Sequence, residues 1–183
     1  MLRLVAVQAK TSVEDYLSAD SFKAKIFSLC QEALSGYSGE AILAFPEVIG
    51  LPLLFAKDYK AMADSGLRLA FINLLKRDYK ALFATAIQHK ISLKSLYFYN
   101  ALAAYKIYKE SFAEAAKEFG AVIIAGTMFL PEIDDEITKG SHILGRGVYN
   151  YSYSFLPSSK TIARVAKVNL TRLEQKLLLD KAS

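Results

Sequence analysis

The sequence predicts an α/β fold in which helices cover a mixed sheet, and three observations lead there. Short apolar runs at residues 2–8 (LRLVAVQ), 41–45 (AILAF) and 121–125 (AVIIA) read as buried strands. Between them lie long stretches with apolar residues at helical spacing. After them, residues 149–156 and 161–168 alternate around Pro157-Ser158-Ser159-Lys160, the pattern of a β-hairpin. Strand, helix, strand, a long helical stretch, strand and hairpin together describe helices packed on a sheet.

Each element has its own signals. Thr11 or Ser12, followed by Glu14 and Asp15, offers an acceptor for free N–H groups and acids for a helix dipole. The helix proper is expected from about Ala19 to Leu34, where Gly36 and Gly39 stop it. Phe22, Ile26, Leu29, Cys30 and Ala33 recur on it at spacings of three and four, which makes Cys30 a small core residue. The second strand ends at Pro46-Glu47. Residues 54–119 read mostly as helix, without proline and rich in Tyr and Phe, with a last helix over 95–119 ending at Gly120. Residues 131–147 are polar, acidic and contain glycine, so they are expected to form a loop.

Composition narrows the functional classes. With 183 residues, 53% apolar and 22% charged, the chain suits one globular domain over 1–183. The mean hydropathy of +0.21 invites a search for a membrane span. The most apolar stretch, residues 41–56, is broken by Pro46, Glu47 and Pro52 and falls short of the roughly 20 apolar residues a span needs. The N-terminus MLRLVAVQAK lacks the layout of a signal peptide, so a cytoplasmic location is expected. One cysteine excludes an internal disulfide and a thiolate metal site. His89 and His142 have no metal-ligand spacing, and neither metal nor cofactor is expected. The net charge of +5 is spread along helical stretches (Lys76, Arg77, Lys80; Lys106, Lys109) among acids, which reads as solvated faces rather than a nucleic-acid site.

Two polar residues stand out by position. Glu47 directly follows an apolar strand, where clefts gather in α/β sheets. Between Phe45 and Val48 it is expected to be partly desolvated and so a better general base. Lys167 closes the second hairpin strand, ARVAKV, where an ammonium can stabilise a developing oxyanion.

Four segments, in this order, are similar to the nitrilase superfamily of carbon–nitrogen hydrolases: LRLVAVQAK with Gln8, AILAFPEVIGLP with Phe45-Pro46-Glu47, FGAVIIAGTMF with Gly126-Thr127, and YNYSYSFLPSSKTIARVAKVNL with Lys167. The resemblance covers nearly the whole chain and implies an αββα sandwich with a Glu–Lys–Cys triad. By that likeness Glu47 is the general base and Lys167 the oxyanion stabiliser. Glu174, seven residues after Lys167, falls near a second supporting glutamate of the family. A thiol would attack an amide or nitrile carbon to form an acyl or thioimidate intermediate that water releases.

The match has gaps. The family's cysteine follows its lysine on a further strand, whereas Cys30 precedes Glu47 and lies on a helix face. Asn169 stands where members commonly have His, and Ala166 where they commonly have Arg. The stretch between Glu47 and Gly120 is longer than is usual in the family, which would suit a cover over the pocket, an oligomer contact or extra core. The expectation is therefore an incomplete αββα sandwich lacking the nucleophile strand and inactive alone. Without its later strands, an apolar sheet face and a strand edge would lie open. The expected partners are a small amide or nitrile substrate once the site is completed, and either further copies of the chain or a complementing C-terminal half. The alternative is a non-catalytic remnant or interaction subunit that pairs with a related chain. Nucleic acid and membrane are not expected partners.

Overall fold

A computed structural model describes residues 1–55, 93–136, 140–158, 160–176 and 179–182. It contains a five-stranded sheet of order β1 (Arg3–Ala6), β2 (Ala41–Ala44), β3 (Val122–Glu136), β4 (Gly140–Phe155) and β5 (Thr161–Ala166). The pairs β1·β2 and β2·β3 are parallel, while β3·β4 and β4·β5 are antiparallel. The helices are α1 (Ala19–Ala33), α2 (Leu93–Glu118) and the short α3 (Arg172–Lys176). The mixed α/β layout is thus present. Most of the expected helical stretch, residues 56–92 with Lys76, Arg77, Lys80 and His89, lies outside the described residues.

Local chemistry sets the helix ends. Thr11 and Ser12 do not cap α1: Ser12 N–H donates to Asp15 Oδ2 at 2.7 Å, beside a short 3-10 turn at Glu14–Tyr16. The cap is Ser18, in extended conformation, whose Oγ accepts from Ser21 N–H at 2.9 Å. Such a cap contributes about 1 kcal/mol. At the other end of α2, Gly120 takes a left-handed φ of +59°. Its N–H reaches Lys117 O and that of Ala121 reaches Ala116 O, a Schellman closure that returns the chain to the sheet as β3.

One layer holds the core. Phe22, Ile26 and Cys30 of α1 are buried at helical spacing, as are Tyr97, Ala101, Ala104, Tyr108, Phe112 and Ala115 of α2. Phe112 gathers the layers, with its ring edge-on to Phe22, Phe45 and Tyr108 at 5.0 to 6.0 Å between centroids. A Lys23–Glu114 ion pair ties α1 to α2 at the surface.

The expected loop at residues 131–147 is instead mostly strand. β3 continues through Glu136 and β4 starts at Gly140, with Ile133 paired against Ile143. Ile133 is buried, and its acidic neighbours Glu132 and Asp134 are half-buried around it. The run of acids hides a strand whose apolar positions are few but inward. Between Pro131 and Glu132 the register jumps, and residues 145–147 of β4 form the bulge that absorbs it, with Gly145 at φ +68°.

The described residues supply one sheet, with α1 and α2 on one of its faces, and no second sheet facing it. On the opposite face Leu4, Ile124 and Val165 are 71%, 40% and 62% exposed. Ile42 and Ala44 pair beside Leu4 and Ala6, and Ile124 lies beside Ser154, so the open face is apolar with few hydroxyls and no charge among these positions.

Candidate functional site

Glu47 sits on a loop bound tightly to β3. Phe45 N–H donates to Ile124 O at 2.9 Å, Val48 N–H to Thr127 Oγ1 at 2.8 Å, and Gly50 N–H to Thr127 O at 3.0 Å. The loop can lie so close because β3 bulges between Ile124 and Thr127, with Gly126 at φ +65°. A Cβ on Gly126 would stand 2.2 Å from Pro46 O, so no other residue fits there. Beneath, Tyr108 Oη donates to Ala125 O at 2.8 Å, and Tyr16 Oη to Ile49 O at 2.9 Å. Val48 itself has φ +56°, a left-handed conformation that is strained for a β-branched side chain. The strain adjoins the very residue that carries the carboxylate.

Lys167 follows the end of β5, and its N–H donates to Asn150 O at 2.9 Å on the neighbouring β4. Its ammonium lies between two carboxylates, 2.6 Å from Glu47 Oε1 and 3.1 Å from Glu174 Oε2. Glu174 arrives from α3, one turn beyond Thr171. Thr171 N–H donates to Glu174 Oε2 at 2.7 Å, and Glu174 N–H donates to Thr171 Oγ1 at 3.2 Å. That reciprocal pair is a capping box, so the local sequence Thr171-Arg172-Leu173-Glu174 fixes the carboxylate before any long-range contact is made. The chain after α3 is then pinned to β4, with Val148 N–H donating to Asp180 Oδ2 and Asp180 N–H to Val148 O, both at 2.7 Å.

The three residues singled out in the sequence therefore meet. Their environments are graded: side-chain exposure falls from 53% for Glu47 to 28% for Lys167 and 7% for Glu174. Glu47 lies at the rim of the cluster, while the neighbouring Phe45 turns into the core. The Lys167 ammonium is pushed up from its ordinary range chiefly by the hydrogen bond to Glu47; slight desolvation opposes this and Glu174 adds to it. Burial would push the Glu174 carboxyl up. The Thr171 N–H and hydroxyl, Asn150 and Lys167 outweigh it and bring the group down to about 2. The cluster places one ammonium between two carboxyl groups.

Two residues of the cluster were not read as such in the sequence. Asn150 Nδ2 donates to Glu47 Oε1 at 3.1 Å and to Glu174 Oε1 at 2.6 Å. With Tyr149, Asn150 opens the segment that resembles the family's lysine-bearing hairpin, but nothing in the sequence gives it a bridging role. Thr171, by contrast, carries the T-x-x-E spacing of a capping box, a signal present in the sequence. Cys30 stays apart, fully buried on α1, where burial pushes its thiol up to about 12 and leaves it inert at neutral pH. Among the described residues no group of acids, histidines and cysteines is arranged to hold a metal ion. No helix there is long and apolar enough to cross a membrane.

No family model and no curated protein matches this sequence. Among solved structures the chain is similar to a carbon–nitrogen hydrolase from Helicobacter pylori G27, at 8% identity and a TM-score of 0.42 over 98% of this chain. The chain spans 44% of the length of that protein. A likeness so distant lends no residue a role, and the chemistry of the cluster rests on its own geometry.

That geometry has a consequence for stability. The Glu174 carboxyl lies below its unfolded value of 4.5, at about 2. Its stabilising effect is therefore complete above pH 4.5 and is lost as the pH falls toward 2. Urea unfolding followed across this interval should show a decline in stability that is smaller in Glu174→Gln. An equal decline in both proteins would contradict the assignment.

Proposed function

We propose that Glu47, Lys167 and Glu174 are the polar part of a carbon–nitrogen hydrolase site of the amidase or nitrilase kind, completed by a thiol from outside residues 1–183. The observation that carries this reading is the single ammonium held at 2.6 and 3.1 Å between two carboxylates, next to the strained Val48. Strained backbone beside charged groups on rigid strand ends marks a positioned site more than a surface ion pair. The only cysteine of the chain, Cys30, is sealed in the core and cannot be the nucleophile.

In this reading Glu47, the most exposed of the three, takes the proton of the incoming thiol. The sulfur forms a bond to the amide carbon, and the negative charge developing on the carbonyl oxygen is met by Lys167. Glu47 then returns the proton to the leaving nitrogen as the carbon–nitrogen bond breaks, leaving a thioester. For hydrolysis it takes a proton from water, whose oxygen attacks the thioester carbon, and the departing thiolate recovers a proton. A nitrile first adds the thiol, with Glu47 passing the thiol proton to the nitrile nitrogen to give a thioimidate. Water then adds to that carbon and ammonia leaves, giving a thioester that a second water hydrolyses. Glu174 keeps Lys167 charged and in place throughout. The isolated chain is expected to release no ammonia from short amides or nitriles. An assembly supplying the thiol should release it, and Glu47→Gln or Lys167→Met should cut the rate roughly 100-fold or more. Ammonia release that is indifferent to both substitutions would refute the reading.

The open sheet face supports a second reading, a non-catalytic subunit that pairs with a related chain or a further copy. Leu4, Ile124 and Val165 leave an apolar surface that water does not favour. Sedimentation of the purified chain should then find an oligomer or a complex. A well-folded monomer at all concentrations would argue against this subunit role.

A further inference from the structure

Asn150 touches every member of the charged cluster. Its side chain is buried on β4, and Nδ2 donates to Glu47 Oε1 at 3.1 Å and to Glu174 Oε1 at 2.6 Å. Its backbone carbonyl accepts from Lys167 N–H at 2.9 Å. A carboxamide nitrogen carries two hydrogens, and both are committed to acids. The reversed amide would set its oxygen against two carboxylates, acceptor against acceptor, so the neighbours decide the orientation. Among the described residues the buried Oδ1 has no hydrogen-bond partner. Leaving a buried acceptor unpaired destabilises a fold, so the residue is poorly chosen for packing alone. What it provides instead is positive potential where a single ammonium has to balance two carboxylates.

We infer that Asn150 is the positioning residue of the site, its carboxamide clamping Glu47 and Glu174 side by side as two ionised acids against Lys167. The inference rests on the reading of these three residues as a hydrolase site, and adds what keeps the base and the oxyanion cation in register. The charged groups around the amide come from separate elements: Glu47 from the loop after β2, Lys167 from the end of β5 and Glu174 from α3. Asp180, from the segment after α3, reaches β4 two residues away at Val148. With the amide removed, two acids face one ammonium without a second donor. They must then separate or hold a proton more tightly, and Glu47 loses its defined place.

The test follows the acids directly, in the full chain with carbon-labelled glutamate, by NMR titration from acid to neutral pH. Asn150→Leu removes both donors, and Asn150→Asp keeps the shape but donates only while protonated. In Asn150→Leu, Glu174 should bind its proton at least roughly tenfold more tightly than in the parent, a shift of about one pH unit. In Asn150→Asp the new acid should titrate above the ordinary aspartate range, and the Glu47 signal should change as that proton leaves. Titrations of Glu47 and Glu174 that match the parent in both variants would overturn the inference. If Asn150→Leu does not fold, the isosteric Asn150→Asp decides by the same criterion. The readout needs neither thiol nor substrate, so a failure of hydrolysis would defeat the functional reading and leave this result standing, and the reverse holds equally.

Discussion

The ammonium of Lys167, held between the carboxylates of Glu47 and Glu174, is the interaction around which the rest of this fold is arranged. Each partner comes from a different part of the chain, and each is delivered by a separate local device. A bulge at Gly126 lets the Glu47 loop lie against β3. Pairing of β4 with β5 brings Lys167 beside Asn150. A capping box turns Glu174 inward at the start of α3. Bringing two acids to one base is unfavourable without further donors, and Asn150 and Thr171 provide them.

The cluster also explains features that would otherwise be costs. Val48 keeps a left-handed backbone that a branched side chain resists, and its N–H is held by Thr127 Oγ1. Tyr108 and Tyr16 place hydroxyls deep in an aromatic core to satisfy carbonyls beneath that loop. Burial raises the Tyr108 hydroxyl well above its ordinary range, so it remains a neutral donor. The aromatic residues around Phe112 thus do two things: they bury apolar surface, and they support the backbone that carries Glu47.

Much of this could be read from residues alone, for physical reasons that differ by element. The strands at residues 41–45 and 121–125 are buried and continuous in apolar character, which periodicity detects, and Gly120 marks a helix end through its left-handed φ. Glu47 and Lys167 were visible because they stand at strand ends, and the structure adds that they touch. The strand over residues 131–136 was hidden by Glu132, Asp134 and Pro131, which suggest a loop although Ile133 packs inward. Thr11 and Ser12 misled because a cap signal also serves a 3-10 turn, while the true cap, Ser18, lay next to the helix. Asn150 is marked in the sequence only as part of the Tyr149-Asn150 pair that opens the Lys167 hairpin segment; its bridging of two acids joins distant elements, which no local pattern encodes.

The proposed function takes the Glu47–Lys167–Glu174 cluster as the polar part of a site, with the Cys30 thiol sealed in the core. That account stands or falls on whether Lys167 and Glu174 act together rather than as neighbours on a surface. A double-mutant cycle measures this most directly, with Lys167→Met, Glu174→Gln and the double variant compared by urea unfolding at neutral pH. A clamped, largely buried pair should show a coupling of about 1 kcal/mol or more. Additive effects, within about 0.5 kcal/mol, would mean that the cluster is not held together in solution.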